Sequence, residues 1–203
     1  MPAPDREKFI NNIHSSNNRM AQLVDKMLSL AKLESQTAPL EREDFDLTTT
    51  LSRLLEERQA LIQSKSLQLD MPSNSYSVNG DRVLIRQAMA NLLDNAIAFC
   101  PLSGSMKIAY PLSQDTNGEF NVTVFNQGQH IPSYALARLY ERFFSMPSEN
   151  NSGLSTAKST GLGLSFVKEI MKHHHGSIHI NNIIDPKLGT GVKASLSWPA
   201  KKS

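Results

Sequence analysis

Apolar spacing changes character once in this 203-residue chain, near Pro39, and that change limits the fold more than any other feature. Before it, Ile10, Ile13, Met20, Val24, Met27 and Ala31 follow at intervals of three and four, passing through Asn17. That spacing predicts one helix over residues 5–37 with an apolar seam that needs a partner helix. Leu23, Leu28, Leu30 and Leu33 widen the seam beyond a two-stranded zipper, which suits a bundle; packing on its own domain is the alternative. Pro39 and the run Glu41-Arg42-Glu43-Asp44 then end the helix and read as a linker. The division expected is therefore 1–40 for the helical piece and 41–203 for the domain that follows.

After the linker, helical and strand-like segments alternate. Asp46-Leu47-Thr48 opens an amphipathic stretch through Ile62, with Asp or Thr as N-cap. Leu67 to Leu69 and Tyr76 to Val78 read as short strands around a Pro72-Ser73-Asn74 turn. Gly80-Asp81 starts a second helix carrying Val83, Leu84, Met89, Leu92, Leu93 and Ala96 at core spacing. Met106 to Tyr110 and Phe120 to Phe125 read as strands joined by an Asp115-to-Gly118 turn, and a helix is expected from Ser133 to Phe144. Residues 145–160, rich in Ser, Asn, Gly and Lys, lack apolar anchors and are expected to form a mobile loop. A helix over 161–175 and strands over Ser177 to Ile180 and Val192 to Trp198 complete an α+β domain with helices on one face of a mixed sheet.

Composition excludes several function classes. Charged residues make up 20% and hydrophobic ones 39%, enough apolar surface for a core. Net charge is only +2, so nothing in the charge balance points to nucleic acid. No stretch approaches the ~20 apolar residues of a membrane span, so no membrane contact by this piece is expected. Cys100 is the single cysteine, which leaves neither an internal disulfide nor a Cys-based zinc site. His173, His174 and His175 sit at adjacent helical positions, which point about 100° apart and cannot converge on one ion. They are expected to form a cationic helix end capped by Gly176.

Four short segments carry the chemistry. Asn91 and Asn95 lie at i and i+4, where two carboxamide oxygens suit a hard cation such as Mg²⁺, or simply a solvated helix edge. Phe125 to Pro132 gives a polar side chain, Asn126, beside a glycine, Gly128, where backbone can approach a flat ligand. Gly161-Leu162-Gly163-Leu164 opens a helix whose free amides suit an anion. Gly189-Thr190-Gly191 precedes the last strand and alone would pass as a hairpin turn.

In this order, and with LYERFF at 139–144, the four segments closely resemble the ATP-binding domain of bacterial sensor histidine kinases. The resemblance covers residues 45–199 and implies a two-layer α/β sandwich, the Bergerat fold, preceded by a long dimerisation-type helix. It implies that Asn91 and Asn95 hold Mg²⁺ and the phosphates of ATP, and that Phe99 stacks on the base. Asn126, Gly128 and Ile131 would form the adenine pocket with Thr190 beside it. Phe143 and Phe144 would be the F box, and Gly161, Leu162, Gly163 and Leu164 the hinge of the nucleotide lid. Residues 28–35 resemble the end of the second helix of the family's dimerisation and phosphotransfer bundle, and residues 132–164 are most similar to CreC-type sensors. A response regulator, a homodimer formed through the bundle, and a cytoplasmic position in an inner-membrane sensor are implied with it.

The chain departs from the family pattern at Asn126, where aspartate is usual, at His130 and Ser159, where glycines are common, and at Ala98, where lysine is frequent. An asparagine still pairs with adenine, since its oxygen accepts and its NH₂ donates. His14 lacks the acidic residue and proline that follow the family's acceptor histidine, so the acceptor is expected outside this chain. ATPases of the fold carry a glutamate one turn before the metal-binding asparagine; Asn91 stands there and cannot take a proton. From the residues alone, an ATPase and a nucleotide-binding scaffold remain open beside the kinase.

Overall fold

The computed structural model describes residues 3–35, 39–111, 118–146 and 160–200. The chain divides into two compact units, 1–37 and 38–203. In the first, α1 (Ala3–Ser35) runs for 33 residues, about 50 Å at 1.5 Å per residue. Its seam residues Ile10, Ile13, Met20, Val24 and Met27 are exposed.

The second unit begins with a strand where a linker was expected. β1 (Arg42–Asp46) pairs antiparallel with β3 (Ser77–Asp81), setting Phe45 opposite Val78. Two of the charged residues that suggested a linker are hydrogen-bonded across the pair: Arg42 donates to Asn79 Oδ1 at 2.9 Å, and Asn79 Nδ2 donates to Asp44 at 2.7 Å. Asp46 then caps α2 (Leu47–Glu56), its carboxylate accepting the N–H groups of Thr48 and Thr49. The expected stretch through Ile62 is broken at Arg58, whose guanidinium turns back to Leu54 O and to the Asp94 carboxylate; α3 (Gln59–Ser64) follows.

The two strands expected around Pro72 do form, but in different sheets. β2 (Gln68–Asp70) lies at one edge of a five-stranded sheet ordered β2-β4-β5-β7-β6, while β3 stays with β1. In the large sheet, β4 (Ser105–Ala109), β5 (Glu119–Gln127), β6 (Ser177–Asp185) and β7 (Gly189–Pro199) pair antiparallel, and only β2 and β4 run parallel. The sheet is mixed, as expected. Asp81 caps α4 (Arg82–Phe99), whose Ile85, Met89, Leu93 and Ile97 are buried, as are Met106, Ile108, Val122 and Leu196 of the strands. Trp198 closes the core, its ring 5.6 Å from Phe120 and its Nε1–H donating to Asn79 O.

Three further expectations are corrected. Helix α5 covers only Ser133–Leu136; the chain continues to Phe144 as single turns such as Arg138 N–H to Ala135 O and Glu141 N–H to Arg138 O, and Phe143 at φ = +64° lies outside any right-handed helix. Gly189-Thr190-Gly191 is strand: Thr190 lies opposite Ile184, and the turn is made by 186–188 on the Asp185 carboxylate. The third concerns the end of α6 (Gly163–His173), which is not a cationic cap. His174 is fully buried, places Nδ1 2.8 Å from Ile170 O, and accepts the Asp81 N–H on Nε2 at 3.0 Å. Only the neutral ring with its proton on Nδ1 makes both bonds. Burial lowers its pKa below 6.5, with the Ile170 carbonyl opposing. The left-handed residue that ends the helix is His175, not glycine; Gly176 follows because a Cβ there would lie 2.1 Å from Ser197 O. The Asp115-to-Gly118 turn, save Gly118, and most of the 145–160 loop lie outside the described residues.

Candidate functional site

Two contacts fix how α4 and α6 lie. Near one end His174 bonds Asp81; near the other a Cβ on Gly163 would sit 3.1 Å from Asn91 Oδ1. Ten residues along α4 therefore match eleven along α6 in the opposite sense, about 15 Å of antiparallel packing. Asn91 and the glycine hinge meet as a consequence, and any side chain at 163 would press on the Asn91 carboxamide.

Asn91 donates from Nδ2 to Gln87 O at 2.9 Å, which leaves its oxygen turned to the hinge. One turn on, Asn95 is half-buried, and its carboxamide makes no hydrogen bond among the described residues. Among the described residues no side chain caps the first turn of α6, which leaves its first amides without a side-chain partner there. Amide oxygens beside free helix N–H groups match a metal-bound phosphate chain: the oxygens suit Mg²⁺, and the amides suit anionic oxygen. Among the described residues no group of three His, Cys, Asp or Glu could hold a metal by itself. Any Mg²⁺ would thus lean on the phosphates and water for the rest of its shell.

The hinge also crosses the phenylalanine pair. Phe143 donates its N–H to Gly161 O at 2.9 Å, and a Cβ on Gly161 would fall 2.5 Å from the Phe143 carbonyl carbon. Gly161 itself takes φ = +67°, so both sterics and backbone angle require glycine. The Phe143 ring is exposed, whereas Phe144 is half-buried with the Arg138 guanidinium 4.7 Å from its ring centre. Leu162 is buried and anchors the hinge; Leu164 is half-buried in the first turn of α6.

The third cluster gathers at the ends of β5 and β7. Asn126 is buried, donates from Nδ2 to Gln127 O at 3.2 Å, and keeps its oxygen free among the described residues. Gly128 donates its N–H to Thr190 O at 3.1 Å, and a Cβ on it would come within 3.1 Å of Phe99 O. Asn126, Gly128, Thr190 and Phe99 are therefore neighbours, with the Thr190 side chain exposed. Ile131 is held through its backbone: its N–H donates to Asn182 Oδ1 at 2.8 Å, and its C=O accepts from Asn182 Nδ2 at 2.7 Å. His130 reaches Ile183 O at 3.3 Å, so the histidine that replaces glycine ties the turn down.

Sequence reasoning missed two supports. Asn182 is one; its partner lies 51 residues away, and no local pattern announces it. Lys65 is the other. Its ammonium donates to Ile97 O, Ala98 O and Cys100 O at 2.7, 3.1 and 2.8 Å, neutralising the C-terminal end of α4 next to Phe99. Burial lowers the pKa of Lys65, and burial pushes the adjacent Cys100 thiol up to about 11.

Residues 80–202 match the family model described as histidine kinase-, DNA gyrase B- and HSP90-like ATPase. The chain belongs to this ATPase family. It is 34% identical over 189 residues to the sensor protein CreC of Escherichia coli K12, covering 93% of this chain and 37% of CreC. The chain thus spans just over a third of that relative. Among solved structures, full-length ShkA in complex with AMPPNP superposes with a TM-score of 0.75 at 20% identity, over 98% of this chain and 40% of ShkA. Histidine kinase ThkA, solved with the response regulator TrrA, gives 0.73 at 24% identity, over 99% of this chain and 53% of the other. These structures share the fold of the HATPase family member seen here. Among the described residues, no helix is long and apolar enough to cross a membrane.

Proposed function

We propose that residues 41–203 bind Mg-ATP and present its γ-phosphate to a histidine on a separate helix, from which an aspartate of a response regulator takes it. Residues 1–40 would then be the second helix of a dimerising bundle, with the exposed seam of α1 as its pairing face. The observation that carries the reading is the meeting of Asn91 with Gly163 and of Gly161 with Phe143, beside the group Asn126, Gly128, Thr190 and Phe99. The ShkA structure with AMPPNP and the ThkA structure with TrrA support the ligand and the partner. The likeness to CreC supports a cytoplasmic catalytic position in a sensor.

In this reading Asn126 receives the adenine amino group on its oxygen, Gly128 admits the ring edge, and Phe99 and Thr190 border it. Asn95, with Asn91 behind it, offers amide oxygen to Mg²⁺, which when bound would neutralise phosphate charge. The first amides of α6 meet phosphate oxygen, and Gly161 to Leu164 let the preceding loop close over the nucleotide and exclude water. Asn91 accepts no proton, so it activates no water; in-line placement of an imidazole supplies the nucleophile.

Calorimetric titration with Mg-ATP, followed by label transfer to an added bundle bearing an acceptor histidine, tests this. Saturable binding, weakened about tenfold or more in Asn95→Ala, and transfer of label are expected. Phosphate release should stay below about one turnover per minute. Absence of saturable binding at millimolar Mg-ATP overturns the proposal, and faster release moves the assignment to an ATPase.

A further inference from the structure

The segment leaving β5 walks across the end of the large sheet in three steps. Gly128 bonds Thr190 in β7, His130 reaches Ile183 in β6, and Ile131 pairs with the Asn182 side chain in β6. The register explains why that walk matters. Asn126 lies opposite Val192, and Val192 lies opposite Asn182, so the three residues form one row across β5, β7 and β6. Directly opposed residues of antiparallel strands project to the same face. Asn126, Val192 and Asn182 therefore share a face, with two strand spacings of about 4.8 Å, roughly 10 Å, between the two asparagines. A purine ring system spans nearly that width.

Asn182 does not face this gap with a free amide. Both its polar atoms are taken by the two backbone groups of Ile131, in the donor and acceptor pattern of a strand neighbour. This carboxamide therefore ties the segment after β5 onto the face of β6 that Asn126 and Val192 share. We propose that Asn182 is a positioning residue that sets base selectivity: it holds Ile131 as the far wall of a purine slot with Val192 as floor and Asn126 as near wall. The inference rests on the nucleotide reading above and names what that reading lacks, the support that keeps the slot at purine width. Truncating Asn182 frees Ile131 N–H and C=O to follow solvent, and the wall opposite Asn126 loses its fixed distance.

The test compares Mg-ATP with the pyrimidine nucleotide Mg-CTP in binding to the wild-type chain, Asn182→Ala, Asn182→Asp and a neighbouring control, Asn181→Ala, with a melting curve for each. Asp at 182 keeps the shape and the acceptor for Ile131 N–H but loses the donor, so it preserves a folded variant if Ala does not. Wild type should prefer ATP. The preference should fall about fivefold or more in Asn182→Ala, fall less in Asn182→Asp, and stay unchanged in Asn181→Ala. A purely structural asparagine would lower the melting temperature and weaken both nucleotides by one factor; that result, or an unchanged preference, overturns the inference. Failure of the wild-type chain to bind either nucleotide instead sinks the functional reading, and the inference with it.

Discussion

The two ends of α6 are built on opposite principles. At the C-terminal end the chain is tied down by protein groups, with only His173 Nε2 buried and without a hydrogen bond among the described residues: Gly176 N–H bonds Met171 O, His175 N–H bonds Lys172 O, and His174 spans to Asp81 at the start of α4. At the N-terminal end no side chain among the described residues caps the first turn, and the chain enters through a left-handed glycine pressed on the Phe143 backbone. One end is pinned to the core beside Trp198, and the other is left with amides to spare. An open helix end is costly unless a ligand fills it, whereas a pinned end keeps the opening aimed. The helix thus has a fixed end that carries stability and, in the proposed reading, a free end that carries binding.

Breaking the pinned end should produce the largest effect. Gly176→Ala puts a Cβ 2.1 Å from Ser197 O and 2.8 Å from Trp198 Cβ, and strand atoms in the core have nowhere to go. A loss of about 4 kcal/mol in urea unfolding is expected, with loss of the Trp198 near-ultraviolet signal. His174→Ala removes the acceptor for the buried Asp81 N–H and leaves a hole, at about 2–3 kcal/mol.

The imidazole also gives this end a pH dependence. Burial holds the folded pKa below 6.5, with Arg42 and His173 adding to the depression while the Ile170 carbonyl and Asp81 oppose it. Above 6.5 the ring is neutral folded or unfolded, and the latch contributes in full. As pH falls below 6.5 the unfolded chain binds a proton that the folded chain resists, so stability declines until the lowered pKa is passed. Urea unfolding from pH 8 to 5 should show wild type and His174→Ala converging at the acid end; parallel curves would mean that His174 does not titrate this way.

The same substitution at the other end should read out differently. Gly161→Ala creates a comparable clash, 2.5 Å from the Phe143 carbonyl carbon, and asks alanine to hold φ = +67°. Because that crossing belongs to the open end, the segment can shift, and the stability loss should stay near 1–2 kcal/mol. Mg-ATP affinity should drop about tenfold, equivalent to roughly 1.4 kcal/mol of binding. If Gly161→Ala unfolds the chain as readily as Gly176→Ala, the contrast between the two ends is wrong.

That contrast was only half legible in the sequence. The periods of α1 and α6 and of α4 from Met89 on, the Asp46 and Asp81 caps, and the alternation in β5 and β7 all lie within single segments, where local spacing reports directly. So do the i, i+4 spacing of Asn91 and Asn95 and the two glycines that open α6. Val83, by contrast, read at core spacing, is exposed. What local spacing could not report was pairing at a distance. β1 read as a linker because the group that hydrogen-bonds its Arg42, Asn79, lies 37 residues on. β2 and β3 read as neighbours although their partners are β4 and β1. Three identical histidines gave no sign that the middle one faces Asp81, and Lys65 and Asn182 bond carbonyls and amides that no pattern marks.

The smallest effect separates conformation from contact at the pinned end. His175 is exposed and takes φ = +56°, the position that closes the helix with the Gly176 N–H to Met171 O bond. A non-glycine residue there carries a left-handed penalty of about 1–2 kcal/mol, partly offset by the greater freedom that glycine gives the unfolded chain. His175→Gly should therefore raise stability by about 0.5–1 kcal/mol in urea unfolding. It should leave Mg-ATP affinity unchanged, because the gain lies at the end of α6 that meets no ligand. A change in affinity without a gain in stability would show that the two ends are coupled through the helix, and that the pinned end tunes the open one.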